Sequence, residues 1–136
     1  MKFKFIDGLT SDVVFEAYGK NLRELFENAA FAMFSVICQV EKIGEKIEKE
    51  VEVKGEGAKD LMFNWLQELI VLVDLENVFF SRFRVTEISE KHLKAKCYGE
   101  EADPKKGGTL VKAVTYYKFN IEKTDKRYKV TVSLDI

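Results

Sequence analysis

The sequence predicts an α+β fold in which two amphipathic helices pack on a largely antiparallel, layered β-sheet structure. Three observations predict it. Two segments repeat apolar residues with the period of a helix, several others alternate with the period of a strand, and the last two strands are joined by a hairpin-length turn. At 136 residues the chain fits one domain, 1–136, large enough to bury a core without staples. Apolar residues make up 46% and aromatic residues 12%, a composition that disordered chains lack.

The first helix is read from Leu22, Leu25, Phe26, Ala29, Ala30, Met33, Phe34 and Ile37, which recur at i, i+3, i+4 and i+7. Asn21, with Glu24 three residues later, forms a start resembling a capping box. The second helix spans about 58–75, with Met62, Trp65, Leu66, Leu69 and Val73 on one stripe. Phe63, Ile70 and Leu72 widen that stripe, so this helix is expected to be covered on more than one side.

Strands follow from alternation. Val51 and Val53 alternate with charged neighbours, as do Phe83 and Val85, and Leu93, Ala95 and Cys97. Val111, Ala113, Thr115, Tyr117, Phe119 and Ile121 are expected to share one face of a long strand. Tyr128, Val130, Val132 and Leu134 point one way in the last strand, with residues 124–127 as the turn before it. The stretch 99–109, containing Asp103-Pro104 and Gly107-Gly108, reads as the one sizeable loop.

Composition narrows the function classes. Lysines and arginines number 22 against 23 aspartates and glutamates, for a net charge of −1 and a pI of about 6.0. A protein that grips RNA unaided carries a basic face, so strong autonomous nucleic-acid binding is not expected. The opening residues MKFKFIDG lack a signal-peptide core. The longest apolar run, 69–73, falls far short of the roughly 20 residues that span a bilayer. No membrane association and a cytoplasmic location are expected. Cys38 and Cys97 lie far apart in apolar surroundings and are read as buried free thiols.

Catalytic machinery is sparse. His92 is the lone histidine, which excludes a triad or multi-histidine metal site within one chain, and it reads as a solvated surface imidazole. No phosphate-binding Gly-rich loop ending in Lys-Ser/Thr is present. Gly55 and Gly57, flanking Glu56, read as a strand-to-helix turn. Trp65 reads as core. Tyr116, between Lys112 and Lys118, is a candidate exposed contact surface.

The acidic residues are more informative. Asp7 and Asp12 bracket Gly8-Leu9-Thr10-Ser11, and the sequence closes on Asp135-Ile136. Hard divalent cations need several oxygen ligands, and carboxylates are the strongest available. If the last strand ends beside Asp12, carboxylates crowd together. Two like charges about 4 Å apart repel by roughly 1 kcal/mol in water and about 4 kcal/mol at an effective dielectric near 20. A bound cation relieves that repulsion.

In order and spacing the chain resembles the archease family. The family's His-Thr-Ala-Asp stretch corresponds to Leu9-Thr10-Ser11-Asp12, and its aromatic-Gly and first helix to Tyr18-Gly19 and Phe26-Glu27-Asn28-Ala29-Ala30. Trp65-Leu66-Gln67-Glu68-Leu69 with the later Asp74, then Lys112-Ala113-Val114-Thr115-Tyr116, and finally Asp135-Ile136 complete the likeness. Leu9 and Tyr117 stand where the family usually has histidine, so a histidine role at either place is absent.

The resemblance implies a protein cofactor of the RtcB-type GTP-dependent RNA ligase of tRNA splicing, one that promotes ligase guanylylation and multiple turnover without being an enzyme itself. It further implies a divalent cation, calcium with manganese or magnesium as alternatives, held by Asp12, Asp135 and the Ile136 carboxylate. Lys112 and Tyr116 are carried as partner contacts. The rival reading is a plain interaction or scaffolding module whose acidic edge is structural.

Overall fold

Segregated apolar faces fix the helices. In the computed structural model, which describes residues 2–6 and 12–136, the first helix, α1, runs Leu22–Ile37. The Asn21 side chain accepts the Glu24 amide at 2.9 Å, and Glu24 Oε1 in turn accepts the Lys20 amide at 3.2 Å. One of the first-turn donors that a helix leaves open is satisfied this way, and the second bond ties the residue before the cap to the helix. The second helix, α2, runs Ala58–Glu76 and ends on Asn77 in the left-handed conformation, a residue type that tolerates it. It starts after Gly57, whose φ of 145° only glycine adopts readily, and the Glu56 amide donates to Asp60. The strand-to-helix turn read at Gly55–Gly57 is therefore present.

The strands are β1 Phe3–Ile6, β2 Asp12–Gly19, β3 Ile47–Lys54, β4 Val78–Ile88, β5 His92–Glu101, β6 Ala113–Lys123 and β7 Tyr128–Asp135. They form a four-stranded sheet in the order β1-β2-β7-β6 and a three-stranded sheet in the order β3-β5-β4. Every pairing is antiparallel. The helices lie between the sheets: α1 packs on β2 and β7 on one side and β4 on the other, and α2 reaches β6, β3, β4 and β5. The α+β reading of two helices on layered antiparallel sheets holds.

This placement explains why both helices are broadly apolar. Leu25, Phe26, Met33 and Phe34 of α1 and Leu61, Met62, Trp65, Leu66 and Leu69 of α2 are fully buried. Trp65 Nε1 donates to the Phe26 carbonyl at 3.0 Å, giving its one polar atom a partner where the helices meet. Phe34, Phe80 and Phe83 pack ring against ring under the three-stranded sheet.

Three sequence expectations are corrected. The strand before α1, β2, was not anticipated: Val14 and Phe15 point to opposite faces and both are buried, so alternation is erased. The stretch 99–109 is not simply a loop. The strand β5 continues to Glu101, a 3-10 turn spans Pro104–Lys106, and the Gly108 and Thr109 amides bond to the Ile37 and Val36 carbonyls at the end of α1.

The third correction concerns β6. Its register against β7 jumps between Thr115, opposite Ser133, and Asn120, opposite Thr131. Residues 116–119 thus stand against Val132 alone, with Lys118 left-handed at φ 54°. Three extra residues, an odd number, exchange the two faces. Val114 and Phe119 are buried inward, whereas Ala113 and Thr115 lie on the opposite face from Phe119 instead of sharing it.

Candidate functional site

The geometry of the acidic edge follows from the β2–β7 ladder. Asp12 opens β2 and Asp135 closes β7, and the register places them directly opposite each other. Opposed residues of an antiparallel pair carry Cβ atoms roughly 5 Å apart on one face. That face is the one turned away from the helices, because Val13, Phe15 and Ala17 of β2 and Val130, Val132 and Leu134 of β7 take the inner positions. Both aspartates are half-buried. Ala113 flanks Asp135 on its other side, and its short side chain leaves room beside the carboxylate. The Lys112 amide donates to the Asp135 carbonyl at 2.7 Å, fixing the end of β7.

Among the described residues, no ion pair involves Asp12 or Asp135. Nor do three or more side chains of His, Cys, Asp and Glu among them form a group that could hold a metal ion. The side-chain oxygens that this edge sets opposite each other are the carboxylates of Asp12 and Asp135, and Ile136, 39% exposed, follows Asp135 directly. Oxygen-only donors suit a hard cation, and with so few of them water would complete its shell. Asp7, Leu9, Thr10 and Ser11, which sequence reasoning attached to this site, lie outside the described residues.

One residue of this face was not foreseen as polar lining. Thr115 occupies the rung next to Asp135 on the same face, and its Oγ1 is buried with no hydrogen-bond partner among the described residues. Sequence reasoning assigned Thr115 to the apolar face, and only the odd-numbered bulge reveals otherwise. Ser133, on the same rung, is fully buried and donates from Oγ to the Tyr117 carbonyl at 2.7 Å.

Of the two candidate contact residues, Lys112 is exposed and Tyr116 is 69% exposed. Tyr116 stacks flat on Phe63 of α2, centroids 4.2 Å apart, so its ring is held in place while its edge faces solvent. His92 opens β5 as a partly exposed surface imidazole, as expected, and hydrogen-bonds to the exposed Glu52 of β3. Both cysteines are buried free thiols, and burial pushes each up to about 12.

The Archease protein family (MTH1598/TM1083) matches residues 3–136. The chain belongs to the archease family. Protein archease of Pyrococcus abyssi is 44% identical over 93% of this chain and 94% of its own, and that of Sulfurisphaera tokodaii is 40% identical over 99% of each. The solution structure of protein 1598 from Methanobacterium thermoautotrophicum superposes with a TM-score of 0.86 at 37% identity, covering 99% of both chains. A Thermotoga maritima structure described as an archease and possible chaperone shares the fold at 22% identity, with a TM-score of 0.71. Archease membership thus extends over nearly the whole chain. No helix among the described residues is long and apolar enough to cross a membrane.

Proposed function

We propose that this archease acts as a non-catalytic protein cofactor of an RtcB-type, GTP-dependent RNA ligase in tRNA splicing, promoting guanylylation and repeated turnover of the ligase. The observation that carries the reading is the opposition of Asp12 and Asp135 at the end of one strand pair. Together with the Ile136 carboxylate they would hold a divalent cation, calcium or alternatively manganese or magnesium. Such a cation supplies positive charge and open coordination positions at an otherwise acidic edge. The chain's own part is to keep two carboxylates in register through the ladder and to anchor Asp135 through the Lys112 amide.

Lys112 and the stacked Tyr116 lie on the same strand region as the acidic edge and would extend the contact with the ligase. A near-neutral protein fits this role, since it acts on an enzyme without gripping RNA itself.

The test is ligation with RNA in excess over ligase, run without this protein, with it, and with Asp12→Ala. Stimulation by the native chain and little by the variant is expected. Equal stimulation by both removes the acidic edge from the mechanism, and none by either removes the ligase role. A second reading, a scaffold with a structural acidic edge, is favoured by the lack of a third side-chain ligand among the described residues. Calorimetry with calcium or manganese separates the two, because a scaffold need not bind either ion.

A further inference from the structure

The opposite end of the same strand pair carries the opposite charge. The strand β2 runs from Asp12 to Gly19, so its two ends are about 24 Å apart at 3.4 Å per residue. At the Gly19 end the topology collects four cations from three separate places. The Lys2 carbonyl accepts the Tyr18 amide at 2.9 Å, which seats Lys2 beside β2. Lys20 leaves β2 directly. Gly19 faces Tyr128, so the turn preceding β7 delivers Lys126 and Arg127 to the same place.

These side chains line one cleft of about 580 Å³. Among the described residues its carboxylates are Glu24 and Glu27, leaving a surplus of two positive charges, and both already accept backbone amides, from Lys20 at 3.2 Å and Val85 at 2.8 Å. The neighbouring Glu16 is occupied as well, taking the Tyr18 hydroxyl at 2.7 Å and pairing with Lys4 and Lys129. Among the described residues, none of Lys2, Lys20, Lys126 and Arg127 joins an ion pair. The Arg127 guanidinium lies 4.2 Å from the Tyr18 ring centroid, which positions the fork while leaving its N–H edge available.

We infer that this cleft is a binding site for a compact, multiply charged phosphate group such as the di- or triphosphate of a nucleotide. Its volume falls within the roughly 300–1,000 Å³ of small-molecule sites. Unpaired Lys and Arg tips around one concavity match the charge and the acceptor oxygens of phosphates. A polynucleotide is less suited: the chain as a whole is at −1, so everything outside the cleft carries a surplus of three negative charges that would repel an extended backbone. The site does not depend on the acidic edge and stands whether or not that edge holds a cation.

The experiment is calorimetric titration of the full chain with inorganic tripolyphosphate at low salt and with chelator present, so that the acidic edge takes no part. One-to-one binding is expected. The pair K126E/R127E should weaken it roughly tenfold or more, since it replaces two of the four cations of the cleft by carboxylates. K20E/K126E, which keeps Arg127 on Tyr18, should act likewise, and the control K59E/K91E, at two residues that do not line the cleft, should leave binding unchanged. No binding by the native chain, equal weakening by the control, or insensitivity to both cleft variants overturns the inference. So does tighter binding of a short single-stranded RNA than of tripolyphosphate at moderate salt.

Discussion

Asp12 and Asp135 face each other across the β2–β7 ladder with no cation of the described chain paired to either. At a separation near 5 Å two half-buried carboxylates repel by roughly 1 kcal/mol, more where water is excluded. Asp12→Asn should therefore raise the melting temperature in chelator, by up to about 1 kcal/mol of stability. On the proposed cation reading calcium should raise the stability of the native chain, by about 2.7 kcal/mol when the ion is at a hundred times its Kd, and Asp12→Asn should abolish that rise. Thermal unfolding in chelator and in calcium measures both, and a native melting temperature indifferent to calcium would end the cation reading.

Trp65→Phe tests the junction between the helices. The indole is fully buried, and its N–H donates to the Phe26 carbonyl on the facing helix. Phenylalanine loses that bond and leaves a space beside Phe83, whose ring meets the indole edge-on. A loss of about 2 kcal/mol is expected from the two effects together, read from urea unfolding.

Glu100 governs stability in acid. Its side chain is only 7% exposed, bonded to Lys106 at 2.5 Å and paired with Lys46 at 3.3 Å. The Lys106 hydrogen bond, opposed by burial and helped by Lys46, holds the carboxyl below its ordinary value of 4.5. A group whose folded value is depressed stabilises above its unfolded value, and that contribution disappears as pH falls through the folded value. Native stability should thus decline below about pH 4.5, and Glu100→Gln should show a shallower decline over that range while being less stable at neutral pH. Urea midpoints measured from pH 3 to pH 7 decide it.

How much of this could be read from the residues alone depends on local pattern. Both helices were legible because Leu22–Ile37 and Ala58–Glu76 carry continuous stripes, and Asn21 with Glu24 marks a true cap. The strand β2 was hidden because a strand buried on both faces shows no alternation. The edge strand β1 does alternate, Phe3 and Phe5 with Lys2 and Lys4, but four residues are too few to argue for themselves. The inversion within β6 had no flag, since the left-handed residue is Lys118 and not a glycine. At the acidic edge, the closing carboxylates were visible as residue types. Their opposition was not, because it requires β2 to be a strand and to pair with β7 across almost the full length of the chain. The basic cleft was illegible for the same reason: Lys2, Lys20, Lys126 and Arg127 meet only through that pairing.

Thiol chemistry offers a check on the two packed layers. Cys38 at the end of α1 and Cys97 on β5 are both buried, and burial raises each to about 12, far from any thiolate at neutral pH. A disulfide-exchange reagent at pH 8 should find no fast-reacting thiol in the native chain and two after guanidinium is added. A prompt reaction of either cysteine in the native state would mean that its layer opens on the timescale of the assay.

The bulge in β6 should respond to loss of a single hydroxyl. Ser133 is fully buried, and its Oγ donates to the Tyr117 carbonyl within the segment that lacks ladder partners. That bond ties Tyr117 to β7, while Tyr116 stacks on Phe63 and Phe119 meets the Phe63 ring edge-on. Ser133→Ala leaves the carbonyl without this donor, and a cost of about 1–2 kcal/mol is expected from urea unfolding. Because the bulge also sets the direction of Tyr116, amide exchange at 116–119 should quicken well beyond that of β7. Conversely, a variant as stable and as protected as the native chain would mean that Tyr116 stacking on Phe63 alone holds the bulge, and the phenol's exposed edge would then owe its position to α2 and not to β7.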